Sequence, residues 1–355
     1  MVGYSGVTLT EAYYSDDLVV LYQGDCLELL PSMEAGSVGM VFADPPYFRV
    51  KGDWWDRQWD NAVGFLAWLG VVADGWRRVL ASNGSLYCFA SPQMSARVEV
   101  ELSERFHILN SLVWAKPNPF LEINRGASNA GRVSKDALRA YYPNTERVVF
   151  AEQFGQDTEA EGDYTKAEAE LRRSVYEPLR AKMAHQLKRT NWTTSQINEG
   201  LGTQMAGHYF GKSQWSLPTP EHYAKMQEIT GGFGTPYEEL RAEYEELRAE
   251  YEELRRPFNA TADTPFTDVW TFPTVQAYDG KHPCEKPQAL IRHAIEMSTR
   301  PDSLPILDTF AGTGSTLLAA KSMGRRAIGF EISERYCEQA AQRLSQGVLR
   351  FGDAV

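Results

Sequence analysis

The sequence predicts an α/β protein built on a doubly wound, mostly parallel sheet with an inserted helical region. Three observations carry that expectation. Short apolar runs lead directly into Gly- or Pro-bearing polar segments near both ends of the 355-residue chain, helical periodicity alternates with them, and a basic, helix-patterned middle interrupts the alternation.

The elements follow in chain order. Residues 18–22 run apolar into Gly24-Asp25, and residues 38–43 into Asp44-Pro45-Pro46-Tyr47, as buried parallel strands do. Over 61–80, Phe65, Leu66, Trp68, Leu69, Val72 and Trp76 recur at helical spacing, and Asn83-Gly84 is expected to turn the chain into a strand over 85–90. Two further strand-like runs, 108–115 and 147–151, flank residues 116–134, which are rich in Pro, Asn, Gly and Ser and too polar for a core; these are read as a substrate-facing or mobile loop. Near the far end, 305–308 reads as a strand entering Phe310-Ala311-Gly312-Thr313-Gly314-Ser315-Thr316. A helix over 317–323 and a strand over 326–330, ended by Glu331, come next. Such alternation aims the C-terminal ends of the strands at one shared crevice.

The expected divisions are 1–152, 153–264 and 265–355. In the middle, helices are expected over 175–187, over 194–201 with a stop at Gly202, and over 221–229 behind Pro218-Thr219-Pro220. Short helices joined by a Gly turn suggest a helix-turn-helix unit. The motif that begins Tyr237-Glu238-Glu239-Leu240 recurs from Tyr244 and Tyr251, placing Tyr and Leu at heptad a and d positions. The helix over 237–256 therefore either packs within the chain or forms a homodimer contact.

Composition narrows the classes. The chain is 43% hydrophobic and 12% aromatic, enough for a sizeable core. No apolar run is long enough to span a membrane, and Glu11, Asp16 and Asp17 do not suit a signal peptide, so a cytoplasmic location is expected. Cys26, Cys88, Cys284 and Cys337 show no CxxC spacing and are read as reduced thiols without a zinc site. The net charge of −11 is unevenly distributed. Residues 237–256 hold eight Glu against four Arg, whereas 172–212 hold seven basic and two acidic residues.

Asp44-Pro45-Pro46-Tyr47, straight after an apolar strand, is the strongest chemical signal. An aromatic amine is a poor nucleophile because its lone pair is delocalised into the ring. The Asp44 carboxylate and the Pro45 carbonyl can each accept an amine hydrogen and favour the pyramidal, reactive nitrogen, and Asp44 also offsets the positive charge that develops. Tyr47 suits stacking on a base swung out of a duplex, worth about 1–3 kcal/mol. The bland reading is a Pro-rich turn. The Gly-rich turn at 310–316 lets a ligand approach the backbone, but it is neither a GxGxxG fingerprint nor a P-loop, since it lacks the Lys. Glu331 is the acid expected to hold two ribose hydroxyls; a solvated strand end is the alternative. In His282-Pro283-Cys284-Glu285-Lys286-Pro287, Lys286 can pair with an amino-acid carboxylate, or simply sit on a Pro-capped helix start.

In this order, with Gly329-Phe330-Glu331, the motifs resemble the beta-class DNA amino-methyltransferases, in which the catalytic half precedes the target-recognition region and the cofactor half comes last. The resemblance covers about 1–150 and 265–350. It implies a Rossmann-like S-adenosylmethionine-dependent methyltransferase fold with an inserted helical target-recognition domain. It also implies Asp44, Pro45, Pro46 and Tyr47 as catalytic. Asp308, Phe310, Gly312, Gly314 and Glu331 would lie around the S-adenosylmethionine, Asp25 near its adenine, and Lys286 with Ser315 or Thr316 near its methionine end.

Residues 48–59, Trp114-Ala115-Lys116-Pro117 and Asp268-Val269-Trp270 look most like phage- or prophage-encoded adenine methyltransferases, some with little sequence requirement. Asp at the first catalytic position favours adenine N6 over cytosine N4. RNA or a protein amide is a further alternative substrate, and a non-catalytic helix-turn-helix DNA-binding regulator is the reading from a different class.

DNA is the expected partner, with no membrane and no obligate protein partner. Its phosphates are expected at Arg172, Arg173, Arg180, Lys182, Lys188 and Arg189, with groove contacts near 208–215, Lys212 and Trp215 among them; a solvated helical face is the rival. Trp54, Trp55 and Trp59 are candidates for the base pocket or for packing. Transfer without a covalent enzyme intermediate is expected, since no Pro-Cys nucleophile accompanies the loop, and no metal is required.

Overall fold

A computed structural model describes residues 11–50, 52, 54–116, 141, 144–153, 164–212, 215–261, 266–276 and 285–346. It divides into one unit of Met1–Asp157 with Arg256–Val355 and a second of Thr158–Arg255. Among the described residues the strands are β1 (Tyr14–Ser15), β2 (Val19–Gln23), β3 (Val38–Ala43), β4 (Leu80–Ala90), β5 (Phe106–Ala115), β6 (Thr145–Gln153), β7 (Val269–Thr271), β8 (Ile306–Asp308) and β9 (Ala327–Glu331). The helices are α1 (Cys26–Leu29), α2 (Ala62–Val79), α3 (Ser95–Ser103), α4 (Tyr164–Thr190), α5 (Thr194–Leu201), α6 (Ala206–Phe210), α7 (Pro220–Thr230), α8 (Tyr237–Leu254), α9 (Gln288–Ser298), α10 (Ser315–Ser322) and α11 (Glu334–Ser345).

In the first unit the strands form one sheet in the order β1-β2-β9-β8-β3-β4-β6-β5-β7. From β2 to β4 all neighbours are parallel. Successive residues of these strands serve opposite layers. Val41 and Ala43 join a core with Leu29 of α1, Phe65 and Trp76 of α2 and Leu102 of α3. Met40 and Phe42 join another with Leu290 of α9, Leu317 of α10 and Ala340 of α11. Burial on both faces explains why the strands read as unbroken apolar runs.

β6 inserts antiparallel between β4 and β5, beyond which β5 and β7 are parallel again, so the sheet is mostly parallel as expected. One detail departs from expectation. Asn83-Gly84 makes no turn before the strand, because Leu80 already pairs with Val38 and the next pair is Met40 with Ser85; residues 81–84 are absorbed as an irregularity inside β4. The buried Leu80 anchors the strand's start. The expected loop at 116–134 lies outside the described residues except for Lys116, as do His282, Pro283 and Cys284. Cys26, Cys88 and Cys337 are buried thiols. No helix among the described residues is long and apolar enough to cross a membrane.

The crossover β3-α2-β4 runs one way along the sheet and β8-α10-β9 the other, so the winding reverses between the adjacent strands β3 and β8. A crevice opens beyond the C-terminal ends of strands at such a reversal. That rule places the site at Asp44 and Asp308 before any side chain is considered.

The chain re-enters this unit at Arg256. Its Nε donates to Glu152 Oε2 at 2.7 Å, and its guanidinium lies beside the stacked rings of Phe150 and Phe258, 5.2 and 5.5 Å from their centroids. The other Glu152 oxygen meets His107 Nδ1 at 3.1 Å. Removing one member of a buried pair strands the other, so Arg256→Met is expected to destabilise the protein by about 3 kcal/mol, and Arg256→Met with Glu152→Gln by much less. Thermal unfolding of the two variants checks this; equal losses would show that the pair is not the cause.

In the second unit, α5 starts with a capping box between Thr193 and Gln196 and ends at Gly202 (φ 68°). Thr219 and Pro220 start α7, and Gly231 (φ 64°) stops it. Leu240 and Tyr251 of α8 are buried, with Tyr237, Tyr244 and Leu247 packed beside them against the unit's own core, and Tyr244 stacks on Tyr176 of α4 at 5.5 Å. The heptad positions from Tyr237 to Tyr251 therefore pack within the unit, and the last one, Leu254, is exposed.

Candidate active site

Four adjacent parallel strands each deliver a carboxylate at their C-terminal ends: Asp25 after β2, Glu331 closing β9, Asp308 closing β8 and Asp44 after β3. All four line a cavity of about 430 Å³, together with Pro45, Pro46, Tyr47, Phe310, Gly312, Ser315, Thr316 and Lys286. The sheet topology thus brings the N-terminal and C-terminal motifs to one place.

The Gly-rich turn folds onto two of these acids. Phe310 N donates to Asp308 Oδ1 at 2.9 Å, and Gly312 N to Glu331 Oε2 at 2.7 Å. Gly312 and Gly314 adopt φ of 52° and 77°, which L side chains rarely reach. A Cβ at Gly314 would also stand 3.0 Å from Ala340 Cβ. The second Glu331 oxygen accepts from Ser333 N at 2.8 Å, so both oxygens are oriented by backbone amides while each keeps lone-pair capacity. Glu331 is only 8% exposed, so it is no solvated strand end. Burial raises its carboxyl above the ordinary value. Burial also pushes Asp308 up to about 7, against a hydrogen bond from Thr316, with the negative charges of Asp44 and Glu331 adding to the rise. Asp25 caps α1 by accepting from Leu27 N at 2.9 Å. Gly314 precedes α10, and the Ser315 hydroxyl reaches Glu285 at 3.3 Å. Phe310 packs between Trp68 and Trp76.

At the loop Asp44-Pro45-Pro46-Tyr47, Asp44 Oδ2 receives Lys286 Nζ at 2.5 Å. Among the described residues no hydrogen-bond donor reaches its buried Oδ1. Tyr47 donates its hydroxyl to Glu146 Oε2 at 2.6 Å. The backbone then enters the left-handed region at two non-glycine residues, Phe48 (φ 58°) and Arg49 (φ 63°). Each such residue costs about 1–3 kcal/mol and persists where neighbours over-determine it. Here Arg49 N donates to Asp56 O at 2.8 Å, its guanidinium reaches Asp60 O at 2.7 Å, and Phe48 stacks on Phe65 at 5.8 Å. Trp55 lines the cavity, whereas Trp59 packs on Phe65 and Trp68; the Trp54 side chain lies outside the described residues.

Several side chains stand differently from expectation. Lys286 was expected near a methionine carboxylate, yet its ammonium is engaged by Asp44 and by Glu146 Oε2 at 3.4 Å. Glu146 and Lys116, which ion-pair at 2.6 Å, were not singled out as site residues. The available signal was a lone Glu immediately before the apolar run at 147–151, together with the Lys of Trp114-Ala115-Lys116-Pro117.

In the second unit Arg172, Arg173, Lys188, Arg189 and Lys212 are exposed. Trp215 is 6% exposed, donates its indole N–H to Tyr209 O at 2.8 Å and lies against Tyr176, so it is a core residue and not a groove reader. Arg180 is held by Glu177 and the Phe210 carbonyl, and Lys182 by Glu239 and Glu243, which occupies the charges expected to meet phosphate.

A family model described as DNA methylase, of the N6 and N4 methyltransferase type, matches residues 38–342, from the first residue of β3 into α11. The chain belongs to this DNA methylase family. Among its relatives, the type II methyltransferase M2.DpnII of Streptococcus pneumoniae is 23% identical over 362 residues, covering 96% of this chain and 95% of that one. The DNA adenine methyltransferase YhdJ of Escherichia coli (strain K12) is 23% identical over 337 residues, covering 93% and 84%. Among solved structures, the PvuII DNA methyltransferase (cytosine-N4-specific) aligns with a TM-score of 0.51 at 16% identity, covering 94% of this chain and 88% of that one, a likeness of fold. The matched span of the methylase holds both Asp44-Pro45-Pro46-Tyr47 and the Gly-rich turn, and leaves out Asp25.

Proposed function

We propose that this methylase transfers the methyl group of S-adenosylmethionine to N6 of adenine in DNA, acting on a base turned out of the duplex. The observation that carries the reading is the meeting of Asp44-Pro45-Pro46-Tyr47 with the Gly-rich turn and Glu331 in one cavity, at the point where the sheet reverses its winding. Asp at the first catalytic position and the adenine methyltransferase among the relatives support adenine over cytosine.

The residues present fit the cofactor. At about 430 Å³ the cavity is of ligand size. Glu331 offers two oriented carboxylate oxygens to ribose hydroxyls, Asp25 stands ready for the adenine, and the glycine turn leaves its backbone approachable. Bound there, S-adenosylmethionine supplies an electrophilic methyl group. The rest is the work of the chain. The Asp44 carboxylate and the Pro45 carbonyl accept the hydrogens of the substrate amine, which turns the nitrogen lone pair out of conjugation. As the nitrogen–methyl bond forms, the methyl–sulfur bond breaks and its electron pair stays on the sulfur; the Asp44 charge balances the positive charge that grows on the nitrogen and its carboxylate receives the proton the amine then loses, while the Tyr47 ring offers a face to the extruded base.

Mass analysis of nucleosides from DNA incubated with the protein and methyl-labelled cofactor is expected to give N6-methyladenine. N4-methylcytosine would overturn the choice of base, and no incorporation would overturn the activity.

The exposed cations of α4 are assigned to DNA phosphates. Replacing Lys188 and Arg189 by Ala is expected to make the plot of log affinity against log salt shallower by about 2, one unit for each lost phosphate contact. Titration of duplex DNA at several salt concentrations checks this; an unchanged slope would remove α4 from the interface.

A further inference from the structure

Behind the catalytic loop lies a row of alternating charges: Asp44, Lys286, Glu146 and Lys116. Lys286 Nζ is 2.5 Å from Asp44 Oδ2 and 3.4 Å from Glu146 Oε2, over the rings of Tyr47 (5.2 Å) and Phe89 (4.9 Å). Glu146 Oε1 receives Lys116 at 2.6 Å, and its Oε2 receives the Tyr47 hydroxyl at the same distance. The Lys286 side chain is 6% exposed, and those of Glu146 and Asp44 15% and 18%. Each buried charge thus has an opposite neighbour, as burial requires.

We propose that Lys286 and Glu146 are positioning residues for the methyl transfer: Lys286 engages Asp44 and fixes the direction in which its carboxylate faces the substrate amine, while Glu146 holds Lys286 and the Tyr47 ring in place from behind. The proposal rests on the amine-methylation reading above. Lys286 acts only through Asp44, and Glu146 only through Lys286 and Tyr47.

The groups around Asp44 give the arrangement a pH signature. They are Lys286 before α9, Glu146 of β6, Asp308 of β8, Tyr47 of its own loop and the Cys88 thiol of β4. Burial raises the Asp44 carboxyl above the ordinary aspartate value, Lys286 opposes that rise, and Glu146 adds to it. For Glu146, burial alone would raise the carboxyl, but Lys286 and Lys116 draw it down to about 2, so it stays ionised. The carboxylate of Asp44 is the working form, so the rate falls as pH drops through its raised pKa. Removing the cation favours protonation of Asp44 and moves this acid limb to higher pH. Removing the Glu146 charge moves it to lower pH.

The experiment is single-turnover transfer from methyl-labelled S-adenosylmethionine into adenine of duplex DNA, measured against pH for the full chain and its Lys286→Met, Lys286→Arg and Glu146→Gln variants. Cofactor binding is followed by calorimetry. The expected result is a rate lowered about 10²-fold in Lys286→Met and about tenfold in Glu146→Gln. Their acid limbs move in opposite directions, Lys286→Arg keeps a limb close to the parent's, and cofactor affinity is retained. Limbs that stay put, or that move the same way, overturn the proposal. If Lys286→Met loses cofactor binding through misfolding, Glu146→Gln and Lys286→Arg decide alone: a limb unmoved by Glu146→Gln, or displaced upward by Lys286→Arg, overturns it. A parent protein that leaves adenine unmethylated refutes the functional reading instead.

Discussion

Replacing Asp44 by Asn is expected to slow methyl transfer by about 10²- to 10⁴-fold while leaving the cofactor bound. Asn keeps the size of the side chain and one carbonyl acceptor but removes the negative charge that balances the developing positive charge on the amine. It also presents an NH2 group where the loop needs an acceptor, either toward the substrate or toward Lys286, whose ammonium now meets Asp44 Oδ2 at 2.5 Å. The fold should survive, because Lys286 keeps Glu146 at 3.4 Å as a partner. Single-turnover rates with calorimetric cofactor binding check both halves. Near-normal transfer by the variant would remove Asp44 from the chemistry.

Glu331→Gln is expected to weaken the cofactor by about 10²-fold or more, with the rate at saturating cofactor largely preserved. The carboxylate receives Gly312 N and Ser333 N on its two oxygens, at 2.7 and 2.8 Å. A Gln side chain has one carbonyl, so it can serve one amide and must turn its own NH2 against the other. The Gly-rich turn loosens, and the ribose hydroxyls lose charge-assisted acceptors worth about 1.5–3 kcal/mol each. Calorimetric titration with cofactor decides the matter; unchanged affinity would mean that Glu331 serves the turn alone. Both variants act in the same cavity, yet one should fail in rate and the other in binding, and that split separates the two halves of the site.

Much of this site was legible in the chain. Strands buried on both faces show themselves as apolar runs, and the residues that end them, Asp44 and Glu331, stand out because a charge follows a run that excludes charge. Glycines at 312 and 314 mark a turn that needs left-handed backbone. Trp215 belongs to the core and not to a groove because, although a Trp in a basic segment suits either, Tyr176 and Tyr209 beside it enclose it. Glu146 lies at the start of β6, just after Thr145, in a strand antiparallel to its neighbours, an arrangement that nothing in its local pattern announces.

Which residues end strands, which turn requires glycine and which loop suits amine chemistry are local properties of the chain, because backbone preference and side-chain alternation are local. How those residues meet depends on the fold. Lys286 and Asp44 lie 242 positions apart, and the Lys286 ammonium takes the Asp44 carboxylate as its partner because α9, which Lys286 precedes, packs through Leu290 and Ile291 into the same core as Phe42 of β3. A cation entering a buried site pairs with the nearest uncompensated anion, and nearness is a property of the folded sheet.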